Sequence, residues 1–311
     1  MIYTLTLNPA FDIFETIEST EILETDKQEK IVLAAGKGVN VGRFLYQLGM
    51  KVENFVLLGN QNAMQYLSSL HRQGLHVRPI FIEGRVRENI KRNDLRQSSF
   101  LEINEKGLYV DPLSLKTLFY EIDATVAKGD LFIVSGSLPG GIDEDWLMCL
   151  FKTIISKGGR LIVDMGGQVL KNIDLNGIYL IKPNRQEFID LLSVNELNSE
   201  IQITGYAREL IGKGLKALLV SLDKDGVFYK DKDNCFKAKM DVKTIVNTTG
   251  AGDALVAAVA ESFIKGRSAM DSVICAVSLA SFVVANKPGT PLDIQEINGL
   301  KDKVQIISLS K

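Results

Sequence analysis

The stretch LFIVSGSLPGG (131–141) decides the fold. It opens on four continuously apolar residues and breaks at once into a turn rich in serine, proline and glycine. A short run without polar alternation suits a strand buried on both faces. Three later stretches repeat the arrangement. Residues 161–163 run into DMGG (164–167), 178–181 into KPNRQE (182–187), and 217–220 into SLDKDG (221–226). Helical patterns stand between them, at 146–157 and 186–192. Alternating buried strands and helices predict a mostly parallel sheet with helices on both faces. Polar and glycine-rich chemistry collects at the C-terminal strand ends, where open α/β sheets bind ligands.

Working outward, two regions break the alternation. Residues 11–33 and 85–110 read as β-rich and are too short to fold alone. They predict a small, discontinuous sheet lying over the ligand edge as a lid. The whole chain, 1–311, then reads as one α/β domain carrying that lid. Its 46% hydrophobic and 24% charged residues suit a folded globular protein. A net charge of −2 argues against a dedicated nucleic-acid partner, which needs a basic face. The longest apolar stretch, 273–285, is too short for a membrane span. The opening MIYTLTLNPAFD lacks a basic start and a long apolar run, which predicts a cytoplasmic protein. Cys149, Cys235 and Cys275 are far apart and form neither a disulfide framework nor a CxxC site. With only His71 and His76, a histidine-rich zinc site is disfavoured.

The sharpest motif is NTTGAGDA (247–254), followed by an apolar helical run. Gly250, Ala251 and Gly252 would form the helix's N-terminal turn, where backbone N–H groups and the dipole favour an anion. Asp253 would stand beside that anion, placed to take a proton from an attacking hydroxyl. The plainer reading is a glycine turn with Asp253 as a helix-start charge. AAGKGVNVGRFL (34–45) contains G-x-G-x-x-x-G, but it does not follow the first strand as a dinucleotide fingerprint must. There Gly36 and Gly38 would allow close ligand approach, with Lys37 and Asn40 as donors, or the turn merely starts a helix. Arg85, Arg87, Lys91, Arg92 and Arg96 form a basic cluster. It is a nucleic-acid contact, a solvated face, or, with Asn89, a small phosphate site. In KPNRQE, Asn184 and Glu187 have capping-box spacing; the functional alternative is water-mediated contact with Mg²⁺. No G-x-x-x-x-G-K-[ST] occurs, which excludes a P-loop nucleotidase.

These motifs, in order along nearly the whole chain, resemble the PfkB branch of the ribokinase-like sugar kinases. The matching blocks are TLNPAFD (6–12), AGKGVNV (35–41), Arg87 with Asn89, SGSLP (135–139), IKPNRQE (181–187), VSL…G (220–226) and NTTGAGDA (247–254). Within that family the chain is most similar to bacterial 1-phosphofructokinases, with tagatose-6-phosphate kinases as near relatives.

The resemblance implies a three-layer αβα fold with a mostly parallel sheet and a β lid. It also implies ATP- and Mg²⁺-dependent phosphorylation of a hexose phosphate, foremost fructose 1-phosphate to fructose 1,6-bisphosphate. Tagatose-6-phosphate or another phosphosugar kinase is the alternative, and a catalytically impaired sugar-phosphate sensor is the reading from a different class. By similarity Asp253 is the base, with Gly250, Ala251 and Gly252 at the transferring phosphoryl group. Asp12, Gly36, Lys37, Gly38 and Asn40 line the sugar site. Arg87, Asn89 and Ser137 hold the existing phosphate. Asn184, Ser221, Gly226, Gly250, Gly252 and Asn286 border the nucleotide, and Asn184 and Glu187 order Mg²⁺ through water. A homodimer through the lid is also implied. The chain departs from the family pattern at Ala35, Gly140, Gly166 and Asp223; the last sets a carboxylate where glycine usually approaches the nucleotide.

Overall fold

A computed structural model describes residues 1–19, 26–94, 99–197 and 199–309. Alternate residues of each central strand enter two different cores, which is the physical signature of a covered sheet. On β1 (Ile2–Thr6), Tyr3 and Leu5 join one cluster and Ile2 the other. The same split divides β8 (Leu131–Ser135), β9 (Arg160–Asp164) and β11 (Ala217–Ser221). Helices therefore lie on both faces, giving the three-layer α/β architecture the motifs predict.

Other strands are β2 (Ala10–Ser19), β3 (Asp26–Ala35), β4 (Val52–Gly59), β5 (His76–Ile82), β6 (Arg87–Asp94) and β7 (Ser99–Asn104). Towards the C-terminus stand β10 (Leu180–Ile181), β12 (Val227–Asp231), β13 (Cys235–Lys239) and β14 (Gln305–Ser308). Among the described residues the large sheet runs β14-β13-β12-β11-β10-β9-β8-β1-β4-β5. Pairing is parallel from β5 to β11 and antiparallel from β11 to β14. The antiparallel extension was not anticipated. The run at 178–181 also shortens to the two residues of β10, whereas β8, β9 and β11 each reach one polar residue further.

The two β-rich regions form a separate sheet in the order β3-β2-β6-β7. β2 pairs antiparallel with β3 and parallel with β6, in the register Asp12 opposite Asn89 and Phe14 opposite Lys91. Residues 20–25 and 95–98 of those regions, including Arg96, lie outside the described residues. No helix among the described residues is long and apolar enough to cross a membrane.

Candidate active site

One cavity of about 930 Å³ lies between the C-terminal strand ends and the lid. The helix Ala251–Ile264 points its start into it. Gly250 caps that helix at φ 86, a left-handed conformation that glycine adopts without a Cβ penalty. The first-turn N–H groups of Ala251, Gly252 and Asp253 have no intrahelical acceptors, so they can receive an anion. A Cβ on Gly252 would lie 3.3 Å from Lys182 Nζ, so an ammonium abuts this turn.

Asp253 is buried, and its Oδ2 accepts a hydrogen bond of 2.8 Å from Asn40 Nδ2. Asn40 Oδ1 in turn accepts from Arg43 at 3.0 Å, and Arg43 also donates to Gln73 and to the Ala34 carbonyl. Arg43 thus fixes which face of the Asn40 amide meets Asp253. Burial, seconded by the nearby Asp164 carboxylate, pushes the Asp253 carboxyl up to about 6. Lys37, Asn40 and Lys182 pull it back down.

Asp164 ends β9 with no solvent exposure at all. Its Oδ1 lies 3.2 Å from Lys182 Nζ and 3.5 Å from Lys37 Nζ, while Oδ2 has no hydrogen-bond partner. Burial alone would lower the Lys37 ammonium. Asp164, Glu187 and Asp253 outweigh it and raise the group above its ordinary value. Two ammonium groups are thereby held beside the glycine turn, a strong field for phosphate.

Asn184 and Glu187 form the capping box that their spacing predicts: Glu187 N donates to Asn184 Oδ1 and Asn184 N to Glu187 Oε2, each at 2.8 Å. This leaves Glu187 Oε1, 3.7 Å from Lys37 Nζ. Among the described residues no cluster of three His, Cys, Asp or Glu side chains could hold a metal ion. Glu187 Oε1 is therefore a carboxylate oxygen here that could meet a phosphate-bound magnesium ion through water.

The lid supplies the opposite wall. Asp12, Arg87, Asn89, Lys91, Glu102 and Asn104 all line the cavity. Asn89 Nδ2 donates to Asp12 Oδ1 at 3.0 Å. Arg87 donates to the carbonyls of Glu105 and Asn8, and the Asn8 side chain donates to Ser137 Oγ at 2.9 Å. Arg87 Nε and Asn89 Oδ1 are buried without partners, as befits groups that meet a ligand. The basic cluster divides: Arg87 and Lys91 face the cavity, Arg92 alternates to the other face of β6, and Arg85 precedes the strand. Arg92 pairs with Glu15, and Arg85 pairs with Glu88.

Most of the residues expected at the site line this one cavity: Asp12, Gly36, Lys37, Asn40, Arg87, Asn89, Asn184, Glu187, Ser221, Gly226 and Gly250 to Asp253. Three do not. Gly38 packs its helix against β1, where a Cβ would come 2.4 Å from Thr6 Oγ1. Ser137 is exposed and reaches Arg87 only through Asn8. Asn286 lines a narrower recess behind Gly250, and its amide donates to the Phe282 carbonyl. Asp223 lines the main cavity in the left-handed conformation, φ 53, and is exposed. Asp164, Lys182, Arg43 and Asn8 escaped sequence reasoning. A charged residue closing an apolar strand was the available signal for Asp164, and an arginine one turn after Asn40 the signal for Arg43.

A helix start open to an anion, a buried carboxylate beside it and flanking ammonium groups suit phosphoryl transfer. The chain belongs to the pfkB family of carbohydrate kinases, whose model matches residues 7–295. It is 25% identical over 307 residues to a 1-phosphofructokinase of Haemophilus influenzae, covering 98% of this chain and 97% of that protein. It is 31% identical over 258 residues to a D-tagatose-1-phosphate kinase of Bacillus licheniformis, covering 83% and 84%. Among solved structures it superposes on phosphofructokinase-2 of Escherichia coli in complex with substrates and products. The TM-score is 0.88 at 24% identity, covering 97% of this chain and 98% of that one.

Proposed function

We propose that the chain transfers the γ-phosphoryl group of ATP to a ketohexose phosphate, foremost fructose 1-phosphate, giving fructose 1,6-bisphosphate. The observation that carries this reading is one cavity with Asp253 and the Gly250–Gly252 turn on its floor and Arg87 on its lid wall. Asp12 and Asn89 hold sugar hydroxyls, and Arg87 receives the phosphate already present. Asp253 accepts the proton of the attacking hydroxyl. The oxygen–γ-phosphorus bond forms as the bond to the β,γ-bridging oxygen breaks, and ADP leaves with that electron pair. The first-turn amides, Lys37 and Lys182 meet the charge, a positioning and electrostatic strategy. Ser221, tied to Asn184 by a backbone bridge, and Gly226 border the nucleotide. Glu187 would hold Mg²⁺ through water, and the ion would supply neutralisation of phosphate charge.

A second acceptor is favoured by the D-tagatose-1-phosphate kinase relative. Tagatose 1-phosphate keeps the phosphate in place and inverts one hydroxyl, which changes only the contacts around Asp12 and Asn89. ADP release with ATP and Mg²⁺ should be followed against fructose 1-phosphate, tagatose 1-phosphate, tagatose 6-phosphate, fructose 6-phosphate and fructose. Turnover should concentrate on a ketohexose 1-phosphate and fall by roughly 10²–10⁴ in Asp253→Asn, the usual worth of a general base. Silence on every acceptor, with ligand-raised melting, would replace the kinase by a sensor.

The outer lid face supports pairing of two copies. Val32, Leu101 and Ile103 are each close to half exposed there. A two-fold partner would cover these residues and the sheet edges. Sedimentation equilibrium should give a dimer mass for the wild type and a monomer for Leu101→Asp with Ile103→Asp; a monomeric wild type would refute the pairing.

A further inference from the structure

Strand β6 turns Arg87, Asn89 and Lys91 towards the cavity at alternate positions. At about 3.3 Å per residue, Arg87 and Lys91 lie roughly 13 Å apart along the strand. Each end meets a different part of the core. Arg87 stands over Asn8, which holds Ser137. Asn89, in the middle, donates to Asp12. Lys91 Nζ lies 3.2 Å from Thr249 Oγ1, on the residue that immediately precedes Gly250. It also lies 3.6 Å from Asp12 Oδ2, with the Phe14 ring at 5.1 Å. Its side chain is only 12% exposed, so it is not a solvated surface lysine. The carboxylates that face it are Asp12 on β2 and Glu102, its register partner on β7.

Resting on the kinase reading above, we propose that Lys91 is a further catalytic residue, a cation that contacts the phosphoryl group in transfer. The inner face of β6 then reads the product from end to end. Arg87 takes the phosphate already present, Asn89 with Asp12 takes the hydroxyls, and Lys91 takes the arriving phosphoryl. As the acceptor oxygen bonds to the γ-phosphorus and the β,γ-bridging oxygen departs, charge spreads over the transferred oxygens. The helix start meets that charge from the core and Lys91 from the lid. Once Asp12 binds sugar hydroxyls, the Lys91 ammonium is freed towards the phosphoryl group. The separation of the two cations selects acceptors of hexose length. A triose phosphate cannot reach both.

Binding of fructose 1-phosphate and of fructose 1,6-bisphosphate should be measured by calorimetry without nucleotide, alongside steady-state kinetics. Lys91→Met should keep monophosphate affinity and lose bisphosphate affinity about tenfold to a hundredfold, the worth of a charged hydrogen bond. Its kcat should fall while the KM for the monophosphate stays nearly unchanged. Lys91→Gln is the second variant should Lys91→Met fold poorly, and Lys91→Arg should restore part of the bisphosphate preference. Arg87→Met should weaken both ligands. Thr249→Val, which removes the hydroxyl contact of Lys91 and leaves its Asp12 and Phe14 contacts, should keep the preference for bisphosphate. Equal weakening of both ligands in Lys91→Met and Thr249→Val would make Lys91 a strut between lid and core and overturn the proposal. So would an intact bisphosphate preference in Lys91→Met. A wild type that binds neither sugar would instead overturn the acceptor reading itself, and the proposal with it.

Discussion

At the residue scale, the proposed base Asp253 would set the pH dependence of turnover. Its carboxyl, raised from 3.8 to about 6 by burial and by Asp164, must be ionised to accept a proton. kcat/KM should therefore fall as pH drops through about 6, and a pH–rate profile checks this. Asp164→Asn removes one of the charges that raise Asp253, so the acid limb should move to lower pH. The stability sign is opposite to that of an ordinary paired carboxylate. A raised folded-state value means the folded chain binds the extra proton between about 4 and 6, so this group's contribution declines as pH rises through that window. Asp253→Asn should thus melt no lower than wild type at pH 8, with the gap narrowing below pH 6. Arg43 acts through Asn40. Arg43→Met should lower kcat with little change in nucleotide affinity, and should displace the acid limb because the Asn40–Asp253 hydrogen bond loses its fixed geometry. Asp253, Asn40 and Lys37 were legible because they sit in short glycine-marked motifs. Asp164 and Lys182 were not, because a buried ion pair is made by two strand ends that only the sheet brings together.

At the element scale, the helix Lys37–Gln47 shows how glycines set a distance. A Cβ on Gly42 would come within 1.9 Å of Asn54 Oδ1, the same atom that accepts from Thr4 Oγ1 at 2.7 Å. The helix therefore rests against β1 and β4 at glycine spacing, which carries Lys37 and Asn40 down to the cavity. Gly42→Ala should cost about 1–3 kcal/mol through overpacking. Urea titration should show a lower midpoint with an unchanged slope. In sequence the G-x-G-x-x-x-G pattern pointed to a ligand, whereas Gly38 and Gly42 serve packing and only Gly36 reaches the cavity wall. The strands at 131, 161 and 217 were readable because both faces are buried, which forbids polar alternation. β12 to β14 were missed because they lie beyond the parallel core; β13 and β14 carry Lys237, Lys239, Gln305 and Ser308 among their apolar residues.

At the scale of the molecule, two sheets meet across one cavity, and within one copy they differ in how fully they are covered. The helix Ala251–Ile264 is buried along nearly its whole length, from Asp253 to Ser262. The lid has one face on the cavity and the other bearing exposed apolar side chains. Amide exchange should open β2 and β6 at a lower free energy than β1 and β8, and a sugar phosphate should slow the lid amides selectively. Equal protection of both sheets would contradict this division. The lid was foreseen as two β-rich interruptions, but its register, which decides that Lys91 rather than Arg92 faces inward, needed the fold. That division has a consequence for how such a chain can diversify. Under the proposed function the donor end would sit in the buried core, where most changes endanger folding, while acceptor contacts would ride on a small peripheral sheet. A laboratory library confined to Asp12, Asn89, Glu102 and Asn104, which line the cavity from the lid, should then shift acceptor preference on a scaffold that still folds.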